Sequence, residues 1–312
     1  MSSPAATPWA DAARRRRRAP RAFALGCMLV AVGSCTGAPP DPFAAPDTTF
    51  AAVVQGLREQ RPEILWQALP SSYRRDLTDL VHRFAATVDA EVYNRSFAIV
   101  GRAGSILEAK KELILASGML DRPDLDRERS PAALDAAAQL LKALSASELG
   151  RVETVKTLDP EKALASTGSR VMVLAAEVSK LVPADPYASQ LRYYLDNTTV
   201  ELVSTQADAA VVRLRLPGRL PEELPLVRVD DRWVPAQLAA KWPAMMESAR
   251  SGLAQLEPER FAVRKSQAMM VLGMVEVVLT QIEAANTPEQ LVAAQQAIMG
   301  MVVAASLQQQ GG

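Results

Sequence analysis

Histidine and cysteine are nearly missing from this chain of 312 residues, which contains one His and two Cys. Both cysteines, Cys27 and Cys35, fall in the first 35 residues, so no thiol follows them. With His82 as the sole imidazole, zinc sites built from several His and Cys ligands and Cys–His nucleophile pairs are excluded. Glycine clusters are also lacking: Gly104 and Gly168 stand alone, with no phosphate-cradling loop around either. Charge of one sign is not in excess, with 35 basic and 35 acidic residues. No apolar stretch of the later chain is expected to reach the uninterrupted run of about 20 residues that a spanning helix requires.

What is present begins with a three-part leader. Arg14, Arg15, Arg16, Arg17, Arg18 and Arg21 precede an apolar run from Ala22 to Val32, and the small pair Gly33 and Ser34 follows. Basic block, short apolar run and small residues together predict a signal peptide over 1–34, too short to remain as a membrane helix. Taking its six arginines and one aspartate, Asp11, from the two totals of 35 leaves 29 basic against 34 acidic groups. The remaining chain is acidic, which argues against nucleic acid and against electrostatic binding to anionic lipid. At about 278 residues it is long enough to bury a core without disulfides.

Val32-Gly33-Ser34-Cys35 resembles the lipobox of bacterial lipoproteins: an aliphatic residue, two small residues and a cysteine. The resemblance covers the leader only. It implies cleavage between Ser34 and Cys35, a diacylglyceryl group on the Cys35 thiol and acylation of the new amino group. Two or three acyl chains anchor stably where one is marginal. Thr36 in place of Asp after the cysteine implies, by the same resemblance, the outer membrane facing the periplasm. The Pro- and Ala-rich residues 35–46 are expected to form a semi-extended tether.

From 47 to 195 the pattern is helical. Phe50, Val53, Val54 and Leu57 make one stripe, and Leu77, Leu80, Val81, Phe84 and Val88 make another on a helix over 71–88. A helical stretch over 92–117 is expected to break near Gly101 and Gly104. Ser130-Pro131, Asp159-Pro160 and Thr287-Pro288-Glu289-Gln290 read as helix starts, with Ser130, Asp159 and Thr287 as caps. Over 196–235 the period changes to that of strands: Val200 and Leu202, then Ala210, Val212, Leu214 and Leu216 alternate with other residues. A Pro-rich connection over 217–225 leads to a hairpin of 226–229 and 232–234 around Asp230-Asp231. Helices resume over 236–307, with a kink at Trp242-Pro243, and residues 308–312 form a tail. The expected fold class is α+β, mainly α-helical, with helical segments before and after one small antiparallel sheet.

Val227-Arg-Val-Asp-Asp-Arg-Trp-Val-Pro235 resembles the closing hairpin of nuclear-transport-factor-2-like lipoprotein domains of bacteria. That resemblance, over residues 198–235, implies helices packed before a curved sheet. Asp231 departs from the family's usual Gly, and the helices after the sheet depart from its plan.

Few residues invite chemistry. His82 lies at the edge of its helix stripe and is expected to be a solvated surface histidine. Asp121, Asp124, Asp126 and Glu128 are interleaved with Arg122, Arg127 and Arg129 and lack the Gly of a calcium loop, which predicts a solvated loop. The Met-rich helix over 262–285 fits either core or an exposed partner groove, and burial of Met269, Met270 and Met274 decides between them. No catalytic residue, metal ligand or cofactor is expected. The function expected is a lipid-anchored envelope module for binding, scaffolding or assembly, with the bilayer and an envelope protein as partners. A glycan hydrolase using paired carboxylates and a carrier of apolar ligand are the alternatives.

Overall fold

The structure, a computed structural model, describes residues 41–182, 186–294 and 296. Ser34, Cys35 and the part of the expected helices over 297–307 lie outside these residues. The fold is mainly helical α+β with a single sheet among the described residues. In chain order the elements are α1 (Pro46–Arg58), α2 (Glu63–Gln67), α3 (Ser71–Thr87), α4 (Ala90–Ala109), α5 (Lys111–Ala116), α6 (Ser130–Ala146), α7 (Val152–Val155) and α8 (Pro160–Ala163). A π-helical turn, Leu164–Gly168, joins α8 to α9 (Ser169–Ser179), and α10 (Pro186–Asn197) precedes the sheet. The strands β1 (Thr199–Gln206), β2 (Ala209–Arg215), β3 (Glu222–Val229) and β4 (Arg232–Pro235) lead into α11 (Ala236–Ala254) and α12 (Pro258–Ala284).

The sheet is an antiparallel meander in chain order. Alternation sends Ala210, Val212, Leu226 and Trp233 to one face, under Phe50 of α1. Val227, Val229 and Val234 go to the other face, against Tyr73 of α3 and Trp242 and Met246 of α11. The Trp242 ring stacks on Tyr73 with centroids 3.8 Å apart, and its indole N–H donates to Asp76 at 2.9 Å. β3 begins at Glu222, so Pro225 lies inside a strand rather than in the expected connection. Pro225 pairs only with Val211, because β4 ends opposite Leu226, and its missing N–H costs no ladder bond.

The packed part starts earlier than the tether boundary at 46 suggests. Phe43 is 5% exposed beneath the Arg232 guanidinium, which also pairs with Asp41. The Trp233 indole donates to the Ala44 carbonyl, and the buried Thr49 hydroxyl lies within reach of the carbonyls of Ala45 and Phe43. Asp41–Ala45 therefore belong to the fold.

Away from the sheet, α12, α4, α6 and α9 lie side by side in that order. Gly101 and Gly104 do not break α4, which runs through both. They let α6 approach: a Cβ on Gly104 would sit 2.9 Å from the Ala138 carbonyl oxygen, and one on Gly101 would sit 2.6 Å from Ser145 Oγ. Five of the six buried positions of α6 are small, namely Ser130, Ala133, Ala136, Ala138 and Ala143, as so close a contact needs. Ser130 is not a cap. It is fully buried and donates its hydroxyl to the Asp126 carbonyl. Asp159 does cap α8, accepting from the N–H groups of Glu161 and Lys162. α11 continues through Pro243.

Candidate functional site

Among the described residues α12 is the edge of the helical row, and from Lys265 onward its charges point the wrong way for a surface helix, while Glu259, Arg260 and Arg264 of its first two turns are exposed. Between Lys265 and Glu283 the only charged residue is Glu276, and all three turn toward α4. Lys265 Nζ lies 2.9 Å from Asp89 and 2.9 Å from Glu91. Arg95 donates through Nε and Nη2 to the two oxygens of Glu276, at 2.7 and 2.6 Å. Arg102 holds Glu283 and reaches Thr280 Oγ1 at 2.9 Å. Lys110 Nζ donates to the Ala285 carbonyl at 2.6 Å. The partners ascend together on both helices, so α12 and α4 run parallel.

Hydrogen bonds from the partner arginines hold the carboxyls of Glu276 and Glu283 below the ordinary carboxylate range. Bonding to Lys265 does the same for Asp89, and Asp89 in turn raises Lys265. The ladder is ionised across the neutral range. Its members are roughly one third exposed, so its strength is partly screened by solvent.

The opposite side of α12 is apolar and open. Met270 is 59% exposed, Val277 55% and Val271 45%. Met269 and Met274 are half-buried. The condition that would have made this helix a core element, burial of all three methionines, is not met. The stretch Arg264–Ala284 is also long and apolar enough to cross a membrane, with a mean hydropathy of 1.3, against the expectation that none of the later chain is. Its two carboxylates are nevertheless bonded to α4, which places it on the folded body. The inversion had a trace in the sequence: Arg95 and Arg102 are seven residues apart on α4, and so are Glu276 and Glu283 on α12.

The other candidates resolve into structural roles. His82 is half-buried rather than solvated, with Nε2 3.0 Å from the Leu158 carbonyl, tying α3 to the segment before α8. In the loop over 121–129, Arg122 pairs with Asp124, Arg127 with Asp121 and Arg129 with Asp126. No group of three metal-ligating side chains occurs among the described residues. Two carboxylates, Asp79 and Asp159, line an open groove of about 440 Å³ with Trp66, Arg74 and Arg75. Asp159 is committed there: the Lys162 side chain, then its backbone cap bonds, hold it below the ordinary range, so it keeps no proton to donate near neutrality. A second open groove, of about 660 Å³ beside α4 and α7, holds a single carboxylate, Glu153, which pairs with Lys156. Leu158 is the one Met or Leu in the lining of either groove, and both are open, whereas an apolar-ligand carrier needs an enclosed apolar cavity.

A mainly helical α+β body with one inverted edge helix is the class that fold and surface define. No family model, curated protein or solved structure matches this chain.

Proposed function

We propose that this protein is an exported lipoprotein, cleaved between Ser34 and Cys35 and acylated on Cys35, whose folded body is an assembly module that docks through the outward face of α12. The observation that carries the docking function is the inverted polarity of α12. A surface helix in water normally turns its charges outward and its apolar stripe inward. Here Lys265, Glu276 and Glu283 are spent on α4, and the apolar side between them is left open among the described residues. Exposed apolar area of this kind, with no facing element among the described residues, marks an interaction surface.

Packing of Phe43 supports a location close to the bilayer. With the fold starting at Asp41, only residues 36–40 separate it from Cys35, a reach of at most about 20 Å. A hydrolase working through Asp79 and Asp159 has less support, since the capped Asp159 offers no acid.

Two experiments test the two halves of this function. Metabolic labelling with a fatty-acid analogue is expected to mark the wild type and not Cys35→Ala, and equal label in both sinks the anchor. Chemical cross-linking in isolated envelopes is expected to trap a complex that Met270→Lys with Val277→Lys abolishes. A cross-linking pattern unchanged by those substitutions, with the helical circular dichroism intact, sinks the docking face.

A further inference from the structure

We propose that the occupant of the α12 face is a second copy of this chain, its α12 laid antiparallel across the first about a two-fold axis at Met274. This deepens the docking function above and rests on it.

The residues along the middle of the outward side are Gln267, Met270, Met274, Val277 and Gln281, separated by steps of three, four, three and four. That is the a/d seam of a helix pair, in which each side chain inserts between residues of the facing helix. The seam reads nearly the same from either end: glutamine, apolar, Met274, apolar, glutamine. Antiparallel pairing centred on Met274 sets Gln267 of one copy against Gln281 of the partner subunit. Met270, four residues before the axis, then lies within one residue of Val277 of the partner subunit, three after it, and Met274 lies beside its own equivalent. Both glutamines are exposed in the single chain, and their amides can donate and accept across the pair. No charge lies on the seam, so two copies meet without like-charge repulsion. Antiparallel packing also sets the helix dipoles head to tail. A two-fold contact of one patch with itself is the commonest way a chain assembles.

A lipid surface suits this face less well. Interfacial helices carry a broad apolar arc flanked by basic residues that reach the headgroups. Lys265 is instead turned to Asp89 and Glu91, the exposed Arg260 and Arg264 lie only at the N-terminal end of α12, and a bilayer would strip water from Gln267 and Gln281 while offering their amides nothing in return.

The test uses the full-length chain, expressed in bacterial cells in two differently tagged copies, with single cysteines added at the exposed Gln267 and Gln281 or the half-buried Met274 and oxidative cross-linking of isolated envelopes. Wild type, whose Cys35 thiol is acylated in the proposed function, provides the background from any unprocessed chain. A disulfide-linked dimer is expected from Gln267→Cys co-expressed with Gln281→Cys and from Met274→Cys alone, and is expected to be lost when Gln267→Cys or Gln281→Cys is expressed by itself. Both glutamine positions are exposed, so these substitutions leave the fold in place. A dimer from Gln267→Cys alone overturns the antiparallel register. Cross-links only to a different protein overturn self-pairing and leave the docking face standing. Free reaction of all three cysteines with a water-soluble maleimide, with no cross-link, overturns both. An intramolecular cross-link to a cysteine introduced at Ala305 assigns the face to residues 297–312 of the same chain and likewise overturns self-pairing.

Discussion

Asp230 joins two parts of the fold through one turn. It holds a left-handed backbone, φ 51°, at the β3–β4 hairpin, and its carboxylate accepts from the Ser71 hydroxyl at 2.9 Å and the Ser72 N–H at 2.8 Å, at the start of α3. These bonds, from Ser72 first and then Ser71, hold the carboxyl below the ordinary range. Asp230→Ala is therefore expected to lose the cap and cost about 1–2 kcal/mol in urea denaturation at neutral pH. Asp230→Asn keeps an acceptor and tolerates the turn, so it should stay near wild type there. A carboxyl depressed by folding stabilises the native state above its unfolded pKa, and that contribution fades as pH falls through the lower folded value. The wild-type advantage over Asp230→Ala is accordingly expected to be full above about pH 4 and to shrink below it. Beside the same hairpin, Phe43→Ala should cost about 3–5 kcal/mol, because the ring is 5% exposed beneath the Arg232 guanidinium. A loss under 1 kcal/mol would return Asp41–Ala45 to the tether.

At the scale of elements, α4 is the member of the helical row that others are built on, and it uses two different contacts. Toward α6 it relies on missing side chains, so Gly104→Leu, whose Cβ would press on the Ala138 carbonyl, is expected to destabilise by about 1–3 kcal/mol in thermal or chemical unfolding. Toward α12 it relies on ion pairs that salt screens. Amide exchange in α12 should accelerate between low salt and 1 M sodium chloride while α6 stays protected, and equal responses in the two helices would show that the ladder does not hold α12. The same contrast explains what was legible in the sequence. Period-two and helical patterning located the sheet and most helices, because Val212, Leu226, Val234 and Leu134 obey the faces that bury them. Gly101 and Gly104 were expected to break α4 because an interior glycine costs a helix about 1 kcal/mol, and only the unseen neighbour α6 shows what offsets that cost. Ser130 has the form of a cap, yet its hydroxyl is used in the opposite direction, as a donor to Asp126. The apolar breadth of α12 fits burial as well as exposure, and the pairing of Glu276 and Glu283 with α4 is a tertiary fact whose one trace in the sequence is the shared seven-residue spacing.

For the whole molecule, an acidic body, a short reach from Cys35 and an uncharged helix face combine into one account. In the proposed function, lipid on Cys35 sets the location, the packed Asp41–Ala45 segment keeps the linker to the body short, and α12 supplies the contact with another molecule. Anchoring contributes to that contact, since confinement at a membrane raises the effective concentration of any surface-bound partner. Peroxide footprinting of the methionines, read by mass spectrometry in intact envelopes and again in purified protein diluted to the monomer, tests this most directly. Met246, 5% exposed in the core beside Trp242, is the internal reference and should oxidise slowly in both preparations. Met270 is predicted to be protected in the envelope and to oxidise rapidly in the diluted monomer. Equal and rapid oxidation of Met270 in both would contradict the account.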